Sequence, residues 1–137
     1  THQNNFVAVP ERTSILDQAM AALLSDLERT GLLDSTLVVL ATEFGRTPRI
    51  NQNAGRDHYP NAWSLALAGS GIQRGAVIGA TDEDGIEVTE NPFDEKNLFA
   101  TMFTALGIDP YAEYDLPGFP TFHRVEKEAK PIHEVLV

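Results

Sequence analysis

The sequence predicts an α/β fold, and three segments carry that prediction. Residues 13–29 place apolar side chains at helical spacing along one stripe, which is typical of an amphipathic helix. Residues 36–41 form a continuous apolar run, and residues 63–68 form a second run of similar character. Such runs are typical of strands buried on both faces, as in a parallel sheet covered by helices. A helix followed by a buried strand is half of a βαβ unit.

The first helix has recognisable ends. Thr13 or Ser14 can cap its amino end, since their hydroxyl oxygens accept hydrogen bonds from free backbone N–H groups. Gly31 can adopt the left-handed conformation that commonly ends a helix. We expect the apolar stripe of this helix to face the core.

The segment after the first strand has no helical or strand periodicity. Residues 42–60 are polar and irregular, and a loop of this length inside a domain is often functional. It follows the carboxyl end of a predicted parallel strand, where open α/β sheets place their sites.

The second half of the chain contains further local signals. Asp84-Gly85 is a hairpin turn signal between residues 77–78 and 86–88. Asp94 is placed to cap a second helix that ends near Gly107. The tail from residue 109 onward shows little periodicity, and we expect surface loops there.

Composition excludes several classes of function. The 137 residues carry 20 acidic side chains against 10 Lys and Arg, a net charge of −10. Nucleic-acid backbone binding needs a basic face, and an anionic membrane surface would repel this chain. There is no cysteine, so neither disulfides nor thiolate metal sites are available. No apolar run approaches the length of a membrane span, and no signal-peptide pattern is visible.

The irregular loop concentrates groups suited to metal and anion chemistry. Residues 43–58 contain one Glu, one Asp, one His and three Arg, namely Glu43, Asp57, His58, Arg46, Arg49 and Arg56. Carboxylate and imidazole groups suit Zn²⁺ or a similar divalent ion, and guanidinium groups suit phosphate or sulfate oxygens. An ordinary solvated loop with internal ion pairs remains open as an alternative, because no local metal-ligand spacing is present.

Several ordered motifs resemble the bacterial domain-of-unknown-function family 1501, within the sulfatase-like branch of the alkaline phosphatase superfamily. They are Thr1-His2-x-x-Asn5-Phe6, Glu43-Phe44-Gly45-Arg46-Thr47-Pro48, Gly55-Arg56-Asp57-His58-Tyr59-Pro60, Ala68-Gly69-Ser70-Gly71-Ile72, Gly79-Ala80-Thr81-Asp82 and Leu106-Gly107-Ile108-Asp109. They span nearly the whole chain. The resemblance implies an α/β/α sandwich of alkaline-phosphatase/sulfatase type, with residues 1–137 forming the C-terminal portion of that domain.

The resemblance also implies a set of metal ligands. His2, Glu43 and His58 match positions that bind one or two divalent ions, zinc or calcium, in that superfamily. Phe44 occupies a position where many members have a second metal-binding His, which argues against a full two-zinc site. The nucleophile and the first metal-binding Asp of the superfamily have no counterpart in this chain.

The resulting hypothesis is a metal-dependent hydrolase of sulfate or phosphate esters. Arg46 and Arg56 are expected to hold the anionic group of a small-molecule or saccharide ester, or to pair with Asp57. The N-terminal portion of the same domain would supply the nucleophile, so this chain alone would be inactive. The resemblance implies an exported or periplasmic protein, although the composition suits the cytosol equally. The rival hypothesis is a non-catalytic binding or structural module on the same fold.

Overall fold

Helix α1 is longer than its periodicity predicts. In the computed structural model, which describes residues 1–137, α1 covers Asn5–Arg29 and includes Pro10. Thr13 and Ser14 therefore lie inside the helix, so the predicted caps are wrong. Their hydroxyls donate instead to backbone carbonyls three or four residues earlier. Gly31 has a φ of 72° just beyond the helix, as predicted.

The apolar stripe of α1 does not face a core, which corrects the expectation from its pattern. Ile15 is 71% exposed, Leu16 42% and Leu23 46%, and Asn5 is the buried residue of this helix. Its main contact with another element is with the short 3₁₀ turn Leu33–Ser35, and backbone hydrogen bonds of Asn4 and Asn5 hold its amino end. The stripe is thus largely exposed, although Met20, Leu24 and Leu27 are half-buried.

The two apolar runs form strands, but they pair antiparallel. Strand β1 covers Leu37–Leu40; β2 covers Gly45–Arg46, β3 covers His58–Tyr59, and β4 covers Ala66–Gly69. Strands β1 and β4 form a two-stranded sheet in which Leu37 lies opposite Gly69. The predicted parallel arrangement is wrong for this pair, because the intervening segment reverses the chain through β2 and β3. The side chains of β1 are half-buried to exposed rather than covered on both faces.

The remaining strands form two further antiparallel pairs. Strand β5 covers Ala80–Thr81 and pairs with β6, Val88–Glu90, around the predicted turn. The carboxylate of Asp82 closes that turn by accepting hydrogen bonds from the backbone N–H groups of Ile86 and Glu87, at 2.7 Å and 3.3 Å. The hairpin is confirmed, although its strands are displaced by two or three residues from the predicted ones.

Helix α2, Glu95–Ala105, begins as its sequence predicts. The Asp94 side chain accepts from backbone N–H groups of the first turn, and the Asn97 Oδ1 accepts in turn from the Asp94 N–H. The predicted end at Gly107 is also confirmed by a φ of 70°.

The core lies between α2 and the tail. Ala100 and Thr101 are fully buried, and Val125, Ala129 and Ile132 of the tail are also buried. The tail contains one more strand pair, formed by β7, Glu113–Tyr114, and β8, Phe122–His123. The expectation of surface loops was therefore incomplete, since the tail contributes half of the core. The molecule is a small mixed α/β domain with two helices and short antiparallel strand pairs.

Neither helix has the combination of length and apolar character needed to cross a membrane.

Thr101 joins α2 to the tail, so its hydroxyl should matter for stability. Its Oγ1 donates to the Asn97 carbonyl at 2.6 Å and accepts from the Ile132 N–H at 2.8 Å. Thr101→Val would leave a buried N–H without a partner, and we expect a loss of about 1–3 kcal/mol in the free energy of unfolding. Urea denaturation measures this loss.

The matched control is Thr104→Val, because the Thr104 hydroxyl only donates to a carbonyl of its own helix. Thr101→Ser should retain most of the stability, since it keeps the hydroxyl. Equal losses for Thr101→Val and Thr104→Val would contradict the assigned role.

Candidate functional site

A short hairpin frames the candidate site. In the pair formed by β2 and β3, Arg46 lies opposite His58. Thr47 extends the pairing, because its N–H donates to the Asp57 carbonyl and its Oγ1 accepts from the Asp57 N–H, both at 3.0 Å. The irregular loop of the sequence is thereby closed into an ordered structure that presents Arg46, Asp57 and His58 together.

The N-terminal segment docks onto a turn within this loop, formed by residues 51–55. The backbone N–H groups of Asn4 and Asn5 donate to carbonyl oxygens of the turn at 3.0 Å and 2.8 Å. Gly55 permits the close approach, because a Cβ at this position would lie 1.9 Å from the His2 carbonyl oxygen. This docking places His2, which precedes the amino end of α1, beside the hairpin of β2 and β3.

His2, Asp57 and His58 form one cluster. The His2 Nδ1 lies 3.2 Å from the Asp57 Oδ1, and the His2 Nε2 lies 3.0 Å from the His58 Nε2. The Arg46 Nη1 lies 3.2 Å from the same His2 Nε2. The cluster is open to solvent, since the His2 and Asp57 side chains are 52% and 56% exposed.

The contacts of Asp57 favour its ionised form. The pKa of its carboxyl is held below the ordinary value, chiefly by hydrogen bonds from His2 and Asn51. Desolvation of the carboxylate opposes these hydrogen bonds by raising the pKa, and the charges of His2 and His58 lower the pKa by smaller amounts. An ionised Asp57 is an acceptor only, so it orients the His2 ring with the Nδ1–H toward the carboxylate.

The structure separates the roles of the two predicted arginines. The Arg56 Nη1 donates to the carbonyls of Thr47 and Pro48, both at 2.7 Å, and the side chain is half-buried. Arg46 is exposed and contacts the His2 ring and a backbone carbonyl. Asp57 is paired with His2 instead of either arginine. Arg56 therefore holds the loop together, whereas the Arg46 guanidinium is exposed beside the His2 ring.

Glu43 does not join this cluster. It lines an open cleft of about 540 Å³ together with Arg46, Trp63 and Ser64, and its carboxylate makes no hydrogen bond or ion pair. Phe44, which follows it, stacks on the His58 ring with centroids 3.9 Å apart. The chain contains no group of three or more His, Asp or Glu side chains arranged to hold a metal ion.

The separation of the two histidine nitrogens is that of a hydrogen bond, and it can be compared with the separation of two nitrogens that bind one ion. Zinc binds imidazole nitrogen at about 2.0–2.1 Å, so two nitrogens of a tetrahedral site lie about 3.3–3.4 Å apart. The observed separation of 3.0 Å is close to that value. A His that donates its other ring N–H to a carboxylate is also the usual arrangement around a ligating imidazole. The cluster thus contains two imidazole nitrogens and one neighbouring carboxylate, without a group of three side chains arranged to hold an ion.

Asn51 is a member of the site that the sequence interpretation missed. Its amide nitrogen donates to the His2 carbonyl at 3.1 Å and to the Asp57 Oδ1 at 3.0 Å. An Asn four residues before a Gly is a turn signal, and it could have been recognised as such. Its contact with His2 spans 49 residues, and local sequence carries no signal for that.

Comparison with known sequences is consistent with the resemblance of the motifs at the family level. Residues 1–136 match a family described as Protein of unknown function (DUF1501). No curated protein and no solved structure matches the chain significantly. Since the family match covers the site residues and nearly every other position, this chain belongs to the DUF1501 family.

Proposed function

We propose that this chain is the C-terminal part of a metal-dependent hydrolase of phosphate or sulfate esters, with an α/β/α sandwich of the alkaline-phosphatase/sulfatase type. The observation that carries the proposal is the pair of imidazole nitrogens, His2 Nε2 and His58 Nε2, at 3.0 Å. In the proposal both nitrogens bind one divalent ion, and zinc is preferred to calcium because imidazole suits zinc.

The surroundings of the pair support this role. Asp57 orients the His2 ring so that Nε2 is directed at His58, and the stacked Phe44 ring holds the plane of His58. Ligands held in this way lose little conformational freedom on binding an ion.

Arg46 supports the assignment of an anionic substrate. Its Nη1 lies 3.2 Å from the His2 Nε2, and Arg46 is one of the residues that line the open cleft, so the guanidinium can bind a phosphate or sulfate oxygen beside the metal ligands. A bound divalent ion would polarise the ester and stabilise the negative charge that develops on its oxygens. Arg46 would hold the non-reacting oxygens and orient the ester.

We assign the remaining ligands and the nucleophile to a further portion of the same domain. The exposed apolar stripe of α1 supports that assignment, because a face with Ile15, Leu16 and Leu23 is stabilised when another layer covers it.

A non-catalytic module on the same fold is the second candidate. Two observations favour it: Phe44 has no lone pair to offer a metal, and no third ligand converges on the histidines. The two candidates differ in whether the full-length protein binds a divalent ion, so metal content distinguishes them.

Removing either histidine should remove metal binding. In the full-length protein, we expect His2→Ala and His58→Ala to reduce zinc affinity by at least 100-fold, measured by titration calorimetry, because each removes one ligand nitrogen. His133→Ala is the control, since this histidine lies in the short 3₁₀ turn His133–Val135 far along the tail. If His58→Ala binds zinc as the unmodified protein does, the ligand assignment is wrong.

A backbone change can disturb the site without removing a ligand. Gly55→Ala would place a methyl group against the His2 carbonyl and force the N-terminal segment away from the turn. We expect zinc affinity to fall by about tenfold or more, with both histidines still present. Gln52→Ala, an exposed substitution in the same turn, should leave the affinity unchanged. Unaltered binding in Gly55→Ala would argue against a role for the docked geometry.

Arg46 should affect turnover more than metal content. With aryl phosphate and aryl sulfate as probes, we expect Arg46→Ala to lower kcat/KM by about 100-fold or more. Zinc stoichiometry should stay the same, and Arg49→Ala serves as the matched control on the same loop. An unmodified protein that contains zinc but hydrolyses neither probe would favour the non-catalytic candidate.

A further inference from the structure

We infer that Asn51 is the positioning residue that fixes His2 against His58. The inference rests on the proposed function for its consequence, which is metal affinity. Its structural basis is the set of hydrogen bonds made by the half-buried Asn51 side chain. The family match assigns no role to this residue.

Both the oxygen and the nitrogen of the Asn51 side-chain amide make two hydrogen bonds. Its Oδ1 accepts from the backbone N–H groups of Asn53 and Gly55 at 2.9 Å and 3.0 Å. Its Nδ2 donates to the His2 carbonyl at 3.1 Å and to the Asp57 Oδ1 at 3.0 Å. One side chain therefore connects the turn, the N-terminal segment and the carboxylate of the cluster.

The oxygen and the nitrogen of the Asn51 amide stabilise different parts of the site. The oxygen closes the turn of residues 51–55, which is a local function common for Asn. The nitrogen holds His2 at two points, directly through the main-chain carbonyl and indirectly through Asp57, whose Oδ1 also accepts from the His2 ring. Because the first contact fixes the His2 backbone and the second fixes the carboxylate that orients its ring, loss of the nitrogen should leave the His2 ring free to rotate away from His58.

Asn51→Asp tests the nitrogen alone. Aspartate keeps an oxygen for the turn, but it replaces the donor by a second acceptor facing the Asp57 carboxylate and the His2 carbonyl. Asn51→Ala removes both ends of the amide. Asn53→Ala is the matched control, because the Asn53 side chain is exposed and makes no hydrogen bond.

Two measurements on the full-length protein report different consequences. The first is the pair of imidazole ¹⁵N shifts of His2 without added metal, which report whether the proton is localised on Nδ1. The second is zinc affinity by titration. We expect Asn51→Asp and Asn51→Ala to lose the localised Nδ1–H signature and to bind zinc about 10- to 100-fold more weakly, with Asn53→Ala unchanged.

A merely structural role predicts a different pattern. In that case Asn51→Asp would keep both the His2 signature and the affinity, and only Asn51→Ala would change, which would overturn the inference. Thermal unfolding of each variant identifies loss of the fold. If Asn51→Asp does not fold, Asp57→Ala removes the same support for the ring, and an unchanged His2 signature there would also overturn it. An unmodified protein that binds no zinc contradicts the proposed function, while the His2 signature still decides the role of Asn51.

Discussion

The candidate site depends on the docking of the N-terminal segment onto the turn of residues 51–55. His2 and His58 are separated by 56 positions, so bringing them together costs chain entropy that local structure cannot offset. Three backbone hydrogen bonds, including one from the Arg56 N–H to the Thr1 carbonyl, act with the Asn51 amide and the close approach at Gly55 as the compensating contacts. Without this docking, the hairpin would present His58, Asp57 and Arg46 with no second imidazole.

Local signals predicted the parts of the fold that local interactions determine. The cap at Asp94, the left-handed glycines at the helix ends and the turn closed by Asp82 are each decided within a few residues. The predicted start of α1 was wrong because the helix continues back through Pro10 to Asn5. The turn of residues 51–55 holds that first part of the helix by backbone hydrogen bonds, and the local sequence carries no signal for this distant contact. The direction of β4 against β1 was missed because strand pairing is decided by the path of the intervening chain.

The candidate site likewise contains residues that the sequence predicted and residues that it missed. Residue types in the loop, together with the resemblance, identified His2, His58, Asp57 and Arg46, which the structure brings together. Sequence could not distinguish Arg46 from Arg56, because the difference lies in which backbone carbonyls each guanidinium reaches. Asn51 escaped notice for a related reason: an amide has no charge or titration to mark it, and its partners lie on two distant segments.

The arrangement around His58 bears on how many ions the proposed site could hold. A second ion needs its own ligands, and the side chain nearest to His58 on its ring face is Phe44, which offers only an apolar surface at 3.9 Å. Glu43 lines the cleft with Trp63 and is not grouped with the imidazole pair as a metal ligand. A second cation there would also approach Arg46, whose positive charge would oppose it. In the proposed function, the surroundings of His58 therefore leave room for one ion rather than two, and that ion would have to displace the Arg46 guanidinium from the His2 Nε2.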